Sequence, residues 1–336
     1  MIEYLTHTQK QLEREVFEEK YPAYDPYDKK THILYLAPTV DDVGFYRSFV
    51  PSHSLNEYTT SHVALVGQFH KSDFTKHSDQ YDTRIDKRLI LWAHYIILPT
   101  HFTDATYIIR MIDEINPKAK LVMDIDRHYH LLSQSLIFRR KIKKSMLQTL
   151  EQNLLRMDLI TTCNKKIAVD YSAILDATKS IKVLPSFTPV YQARSRDPLA
   201  SPTKKYATKI GIIGNPSEAE NIYSIKILLS RLAEFYGHFL EIIIFGWDGK
   251  YGQDLLLHDI PFTYVKPCSI HAYFETIKSL ELDIALIPER YFSHRYSKAS
   301  LLYYELSNLK IPVIASSTPT FYGKISHGKN GYLAHT

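Results

Sequence analysis

Short apolar runs alternate with helical segments over most of this chain, and this alternation restricts the fold more than any other feature of the sequence. The first series comprises HILYLAP (32–38), HVALVG (62–67), AHYIILP (93–99), KLVMDID (120–126), LITTC (159–163) and IKVLP (181–185). Amphipathic stretches such as residues 107–115 and 135–157 separate these runs. Continuous apolar strands that alternate with helices are typical of a parallel sheet covered by helices on both faces.

The alternation starts again after residues 188–208, a segment rich in Pro, Ser and basic residues that indicates a linker. The second series comprises KIGIIG (209–214), EIIIFG (241–246), FTYV (262–265), DIALIP (283–288) and IPVIAS (311–316). A chain of 336 residues is also too long for one ordinary core. We therefore predict an α/β protein with two Rossmann-like, doubly wound domains, residues 31–187 and 209–336, that face a cleft. The charged segment 1–30 is predicted to be a helical N-terminal appendage outside these cores.

Composition argues against several classes of protein. No run approaches the roughly 20 apolar residues of a membrane span, and the N-terminus lacks the apolar core of a signal peptide. Cys163 and Cys268 are far apart in the sequence and indicate neither a disulfide framework nor a zinc site. The net charge of +5 is compatible with an anionic ligand, but no nucleic-acid recognition motif is present. We therefore expect a cytoplasmic protein with no nucleic-acid partner.

Glycine-containing turns follow three of the predicted strands, where the loops of a parallel sheet form ligand crevices. Gly44 precedes a predicted helix, whose N-terminus offers unpaired N–H groups to an anion, and Arg47 follows it closely. Gly214 and Asn215 follow the first strand of the second domain, and Gly246 follows the next. These turns are predicted to bring backbone close to a phosphorylated ligand.

Each turn also has a purely structural interpretation. The helix after Gly44 is equally consistent with a plain entry that Asp41 or Asp42 caps. Trp247, next to Gly246, either stacks on a base or packs so as to seal the cleft. Neither turn of the second domain carries the G-x-G-x-x-G pattern of dinucleotide-binding proteins.

The fourth predicted strand ends in the polar sequence MDIDRHYH (123–130). Asp124 and Asp126 alternate along the strand and point to opposite faces, so they are not predicted to form an acid–base pair. His128 and His130 have H-x-H spacing, but no third ligand lies at metal-binding spacing, and we predict no metal site.

A basic sequence, RRKIKK, covers Arg139–Lys144 on a predicted helix. Its favoured interpretation is the solvated face of a helix that packs its apolar side on the core. The alternative is attraction to anionic lipid, which would place the protein peripherally on the inner face of the membrane, or to an acidic acceptor.

The last fifty residues carry the most functional information. Lys298 lies near the start of a predicted helix, and Glu305 lies two turns later on the same face. Leu301 and Leu302 share that face, which predicts that it points inward and that the acid has a partner. The lysine would contact phosphate, and the carboxylate would accept hydrogen bonds from hydroxyl groups such as those of a ribose. The alternative is an exposed ion pair on a surface helix.

The run DIALIPERYFSHRYSKASLLYYELSNLKIPVIASSTPTFYGKISHGKNGYLA resembles retaining glycosyltransferases of the GT-B fold, in the broad group-1 (family-four-like) set. GFYRSFVP, the DID strand end, VLPS and GIIGN are weaker matches in the same order. The resemblance implies a nucleotide-sugar donor bound mainly by the C-terminal domain and an acceptor, a glycan, lipid-linked or protein group, bound mainly by the N-terminal one. It also implies retention of anomeric configuration, with no cofactor and no metal.

By position, Glu305 matches the second acid of the E-x(7)-E motif, which contacts the donor ribose, and Lys298 matches a phosphate-binding lysine. Gly44 matches the glycine loop that faces the donor diphosphate. Lys298 and Arg295 are the candidate catalytic residues, because they would stabilise the leaving nucleoside diphosphate. The other donor-side candidates are Arg47, Gly214, Asn215, Gly246, Ser297 and Ser300, and the acceptor-side candidates are Asp126 and Arg127.

The sequence departs from the family pattern in three places. The first acid of E-x(7)-E is replaced by Ser297, and the basic residues that many members carry after the first strand of the second domain lack clear equivalents. Arg290, Arg295 and Lys298 are candidates to supply the lost charge. The sequence stops at Thr336, before the C-terminal helices usual in this fold, so we expect that a partner chain could complete it.

We therefore predict a glycosyltransferase that uses a nucleotide sugar. The alternative is a catalytically degenerate GT-B scaffold that binds a protein or glycan partner without turnover.

Overall fold

The computed structural model describes residues 2–37, 44–68, 85–99, 104–133, 142–186, 188, 207–214, 219–247, 260–290 and 301–335. The chain forms two compact units: of the described residues, those up to 188 belong to unit 1 and those from 207 onward belong to unit 2. The predicted linker lies outside the described residues except for Thr188, Ala207 and Thr208.

Unit 1 is built on a sheet of six parallel strands, as predicted. They are β1 (Thr31–Ala37), β2 (His62–Gln68), β3 (Tyr95–Pro99), β4 (Lys120–Ile125), β5 (Leu159–Thr162) and β6 (Ile181–Val183). Their order is β2-β1-β3-β4-β5-β6. The chain therefore reverses its direction across the sheet between β1 and β3, and ligands of open parallel sheets bind at such a switch point.

Two helices precede β1, and the others connect the strands. The helices are α1 (Ile2–Leu12), α2 (Phe17–Lys20), a π-helix (Phe45–Phe49), α3 (Val50–Tyr58), α4 (Lys87–Trp92), α5 (Asp104–Ile115), α6 (Tyr129–Leu132), α7 (Lys144–Leu155) and α8 (Lys165–Ile174). Side chains cap three of them: Asp86 accepts from the backbone N–H of Arg88, His128 from that of Leu131 and Asn164 from that of Ile167. Helix α5 shows why the apolar periodicity predicts a helix: Ile108, Ile109 and Ile112 recur on one face and are all buried in the core of unit 1.

The N-terminal segment is more tightly joined to unit 1 than expected of an appendage. Leu5 is fully buried, and Phe17 belongs to the hydrophobic core of the unit. The ring of Phe17 lies 5.1 Å from that of Tyr21 and 4.8 Å from that of Tyr24, and the guanidinium of Arg88 covers it at 3.6 Å. The charged composition of the segment does not indicate these aromatic contacts, through which it packs on unit 1.

Unit 2 is built on a second sheet of six parallel strands. They are β7 (Thr208–Ile213), β8 (Leu240–Phe245), β9 (Phe262–Val265), β10 (Ile284–Ile287), β11 (Val313–Ser316) and β12 (Tyr332–Ala334). Their order is β12-β11-β10-β7-β8-β9. The switch point of this sheet therefore lies between β7 and β10.

Helices α9 (Ala219–Ser224), α10 (Lys226–Tyr236), α11 (Ile270–Leu280) and α12 (Leu301–Asn308) connect the strands of unit 2. Its hydrophobic core contains Phe245 of β8, Ile277 of α11 and Leu306 of α12. Within the described residues of both units, no helix combines the length and the apolar character needed to cross a bilayer.

Candidate functional site

Two loops of unit 2 touch each other where β7 and β8 end. The backbone N–H of Gly214, directly after β7, donates to the carbonyl oxygen of Phe245 at 3.0 Å. Gly246 has φ = +98°, and a Cβ atom at this position would overlap the carbonyl oxygen of Gly214. Position 246 thus requires glycine both for its backbone conformation and for this close approach. Gly214 and Gly246, two of the predicted donor-side residues, therefore lie side by side at the carboxyl edge of the sheet.

Trp247 follows this contact and is fully buried. Burial supports the packing interpretation of this side chain over stacking on a ligand. Within the part of the chain that the structure describes, its indole N–H has no hydrogen-bond partner.

Glu305 lies in α12 and is only 4% exposed. The hydroxyl of Tyr273, in the first turn of α11, donates to its Oε2 at 2.9 Å. The ring of Tyr273 stacks on that of Phe245, with 5.6 Å between the ring centroids. The inward-facing acid expected at position 305 is therefore present, and a hydroxyl from a neighbouring helix holds it.

A second buried carboxylate of unit 2, Glu289, was missed by sequence reasoning. It lies two residues after β10 and is 5% exposed. The hydroxyl of Thr318 donates to Oε2 of Glu289, and the backbone N–H of Glu289 donates to Oγ of Ser316 at 2.9 Å. The signal that could have identified it is an acid directly after an apolar strand, in the sequence LIPE. Gly214 and Glu289 follow β7 and β10, the two strands that flank the switch point of the sheet.

Arg290, a candidate for the missing positive charge, is directed towards α9. Its backbone N–H donates to Oδ1 of Asn221 at 3.1 Å, and its guanidinium lies 3.3 Å from Oε2 of Glu220. Asn221 itself is buried. These contacts tie the segment after β10 to the helix that follows β7.

In unit 1, Arg47 forms a buried ion pair with Asp124 of β4. Nε of Arg47 donates to Oδ2 of Asp124 at 2.6 Å, and a second guanidinium nitrogen donates to Oδ1. A third nitrogen, Nη1, donates to the carbonyl oxygen of Leu184 at 3.0 Å and to Oγ of Ser186 at 3.2 Å. Thr161 completes the group by donating to Oδ1 of Asp124 at 2.6 Å. Arg47 therefore connects the π-helix after β1 to β4 and to the segment after β6.

Burial alone would lower the pKa of Arg47, but the charge and hydrogen bonds of Asp124 outweigh burial and raise this pKa above its usual value. The guanidinium of Arg47 therefore remains charged at any ordinary pH. Gly44 is buried and directly precedes the π-helix with a right-handed helical conformation (φ = −59°, ψ = −45°). Asp41 and Asp42, the alternative capping residues for this helix, lie outside the described residues.

Asp126 and Arg127, the acceptor-side candidates, contact each other. Nε of Arg127 donates to Oδ2 of Asp126 at 2.6 Å, and the hydroxyl of Tyr129 donates to Oδ1 at 2.7 Å. Burial raises the pKa of Tyr129 well above its usual value, with a further contribution from the charge of Asp126. Tyr129 is thus a permanent hydroxyl donor to this carboxylate.

The two histidines of the H-x-H sequence have different partners. Nε2 of His128 lies 3.2 Å from Oδ2 of Asp170, and Nε2 of His130 lies 2.9 Å from Oε1 of Glu151. Nδ1 of His128 accepts from the backbone N–H of Leu131, which selects the neutral tautomer with its proton on Nε2. Burial lowers the pKa of His128, although the charge of Asp170 opposes this shift. Among the described residues, no group of three or more His, Cys, Asp or Glu side chains is arranged to hold a metal ion.

Several predicted residues lie outside the part of the chain that the structure describes. They are Asn215, Arg295, Ser297, Lys298 and Ser300 of the donor side and Arg139–Lys141 of the basic sequence. Their roles remain predictions.

Comparison with solved structures identifies the fold. A sucrose-phosphate synthase from Thermosynechococcus elongatus, 12% identical, has a TM-score of 0.60 over 91% of this chain and 86% of its own. HepE from Anabaena, solved with UDP and glucose, is 12% identical and has a TM-score of 0.56 over 90% of this chain and 85% of its own. A UDP-forming trehalose-phosphate synthase from Burkholderia xenovorans, 8% identical, has a TM-score of 0.52 over 87% of this chain and 85% of its own.

No protein-family model and no curated protein matches the sequence. At identities this low, the structural likeness concerns the fold alone. It confirms the predicted α/β architecture of GT-B glycosyltransferases.

Proposed function

We propose that this protein is a glycosyltransferase that moves a sugar from a nucleotide-sugar donor to a glycan, lipid-linked or protein acceptor. The observation that carries the proposal is Glu305, a buried carboxylate held by Tyr273 in unit 2, in a fold shared with sugar-transferring enzymes. HepE is solved with UDP and glucose, and the trehalose-phosphate synthase is described as UDP-forming. A uridine nucleotide is therefore the first donor to test.

In the proposed mechanism, Glu305 accepts hydrogen bonds from the donor ribose. Lys298 and Arg295 neutralise the nucleoside diphosphate as it leaves, which is the largest charge that develops during the reaction. Gly214 and Gly246 let the backbone approach the donor. Asn215, Ser297 and Ser300 add polar contacts on the same side.

In unit 1, Gly44 is proposed to lie in the loop that faces the donor diphosphate. Arg47 serves this side by holding the π-helix next to Gly44 through its ion pair with Asp124. Asp126 and Arg127 would contact the acceptor.

Retention of configuration and independence from metal ions are part of the proposal. A trehalose-6-phosphate synthase of the same fold is described as transferring its sugar with retention. The positive charges of Lys298 and Arg295 would perform the charge neutralisation that a divalent ion performs elsewhere. NMR of the product anomer and activity in the presence of a chelator test these two points.

Calorimetric titration with a panel of nucleoside diphosphates tests the assignment. We expect the wild type to bind one of them and Lys298→Ala to lose about tenfold or more in affinity, as is typical when a charge-assisted contact is lost. Lys329→Ala, which changes an exposed lysine of unit 2, is the control and is expected to bind as the wild type does. The assignment is wrong if no nucleotide binds to the wild type or if Lys298→Ala binds with unchanged affinity.

We also propose that the basic sequence Arg139–Lys144 gives peripheral contact with anionic lipid. Its described part, Ile142–Lys144, has a buried isoleucine followed by two exposed lysines at the start of α7. Co-sedimentation with vesicles of anionic or neutral lipid tests this contact, and equal binding to both would contradict it.

A further inference from the structure

Tyr273 contacts both Glu305, the proposed ribose-binding carboxylate, and Phe245, the last residue of β8. Its hydroxyl donates to Glu305, and its ring stacks on Phe245. Phe245 in turn accepts a backbone hydrogen bond from Gly214 and directly precedes Gly246. A continuous series of contacts therefore runs from the loop contact at the ends of β7 and β8, through Tyr273, to the carboxylate in α12.

The surroundings of Tyr273 restrict its orientation. Its ring also meets Phe274 edge-on, with 5.1 Å between the centroids, and Phe245 and Phe274 are both almost fully buried. A ring held by two aromatic neighbours has few rotamers available, so its hydroxyl is directed at one place. That place is Oε2 of Glu305, in a side chain that is itself more than nine-tenths buried.

We propose that Tyr273 is the positioning residue of the ribose-binding carboxylate. This inference rests on the proposed function, because it assumes that Glu305 accepts hydrogen bonds from a ribose. By donating to Oε2, Tyr273 fixes the plane of the carboxylate and thereby the direction in which it meets the ribose hydroxyls. Tyr273 itself need not touch the donor.

The proposal predicts a selective defect. Tyr273→Phe keeps the aromatic stack on Phe245 but removes the hydrogen bond to Glu305. The carboxylate then loses this orienting hydrogen bond, so the variant should lose affinity that comes from the ribose hydroxyls and keep the affinity that comes from the base and the phosphates.

The chain offers a matched control on the same helix as Glu305. Tyr303 is 5% exposed, and its hydroxyl donates to the carbonyl oxygen of Asn330 at 3.1 Å. Tyr303→Phe therefore also removes one buried phenolic hydrogen bond from α12, without touching the carboxylate of Glu305.

The experiment measures binding of UDP and of 2′,3′-dideoxy-UDP by calorimetry to the wild type, Tyr273→Phe, Tyr303→Phe and Glu305→Gln. We expect Tyr273→Phe and Glu305→Gln to weaken UDP binding about tenfold, the usual cost of a hydrogen bond to a charged group. Binding of the dideoxy nucleotide should be unchanged, and Tyr303→Phe should retain the wild-type preference for UDP.

Equal weakening of both nucleotides by Tyr273→Phe would show a merely structural role and overturn the inference. Unchanged UDP binding by Tyr273→Phe, with a clear defect in Glu305→Gln, would overturn it while leaving the proposed function intact. Failure of the wild type to bind any nucleoside diphosphate would overturn both.

Discussion

Each of the four buried carboxylates in the described residues accepts a hydrogen bond from a hydroxyl group. The pairs are Thr161 with Asp124, Tyr129 with Asp126, Thr318 with Glu289 and Tyr273 with Glu305. A buried carboxylate without such partners is costly, because burial removes the water that solvates its charge. In unit 1, two of these carboxylates also form ion pairs: Asp124 with Arg47 and Asp126 with Arg127.

Breaking the buried ion pair between Arg47 and Asp124 is predicted to lower the free energy of unfolding strongly. Asp124→Asn leaves a buried guanidinium without its counter-charge, and breaking a buried pair in this way costs about 3–5 kcal/mol. Urea-induced unfolding measures this loss. The control is Asp113→Asn, which breaks an exposed pair with Arg156 and is expected to cost about 0–1 kcal/mol. Similar losses for the two variants would show that the pair contributes no more than a surface salt bridge.

The lowered pKa of His128 predicts that the protein becomes less stable as the pH falls. Because burial lowers its pKa in the folded state, the unfolded chain binds more protons at this site, and acidification favours unfolding. Its contribution to stability is therefore complete at neutral pH and is lost as the pH falls below about 6.5, the unperturbed pKa of histidine. Protonation would also place a hydrogen on Nδ1, which accepts from Leu131.

Thermal unfolding between pH 7.5 and pH 5 tests this prediction. His128→Gln should show a smaller loss of melting temperature on acidification than the wild type. The exposed His238 supplies the control, since His238→Gln should reproduce the wild-type profile. A profile of His128→Gln that parallels the wild type would rule out this histidine as the source.

At the scale of the elements, the ends of β7 and β8 are joined by a contact that tolerates no side chain. Gly246 combines a positive φ with close approach to the backbone of Gly214. Gly237, at the end of α10, also has a positive φ, but no atom lies near the place where its Cβ would be. Substitutions at the two glycines therefore distinguish two costs. Backbone strain applies at both positions, whereas steric overlap applies at Gly246 and not at Gly237.

Gly246→Ala and Gly237→Ala are expected to differ in stability for this reason. Both should incur a backbone cost of about 1–3 kcal/mol, because a residue with a Cβ is strained at positive φ. Gly246→Ala should lose about 1–3 kcal/mol more, because its Cβ displaces the Gly214 loop. Urea-induced unfolding measures both variants, and equal losses would mean that the loop moves aside without cost.

At the scale of the whole molecule, each unit has its own sheet and its own hydrophobic core. The described residues proposed to bind the nucleotide, Gly214, Gly246 and Glu305, all belong to unit 2. Binding to the folded state suppresses local opening near the ligand.

We therefore expect UDP to slow amide hydrogen exchange in unit 2 more than in unit 1, with the largest effect in α12. Mass spectrometry of peptides with and without UDP measures this, and Glu305→Gln at the same UDP concentration should show little protection. Protection confined to unit 1 would contradict the proposed location of the donor.

The amino-acid pattern is sufficient to predict the two parallel α/β units, because apolar runs and helical periodicity are local properties of a few neighbouring residues. It also identified Glu305 as an inward-facing acid, since Leu301 and Leu302 share its helical face. The sequence also predicts that Glu305 has a hydrogen-bond or ionic partner, because a buried charge without one is costly.

The partner of each buried group, by contrast, is known from the three-dimensional structure and not from the sequence. Tyr273 is 32 residues from Glu305, Thr318 is 29 from Glu289, and Arg47 is 77 from Asp124. These contacts depend on the order of strands in each sheet, which brings distant strand ends together at one edge. Nothing in the residues around Arg47 shows that its guanidinium is bound to Asp124, because sequence spacing carries no information about which strands become neighbours.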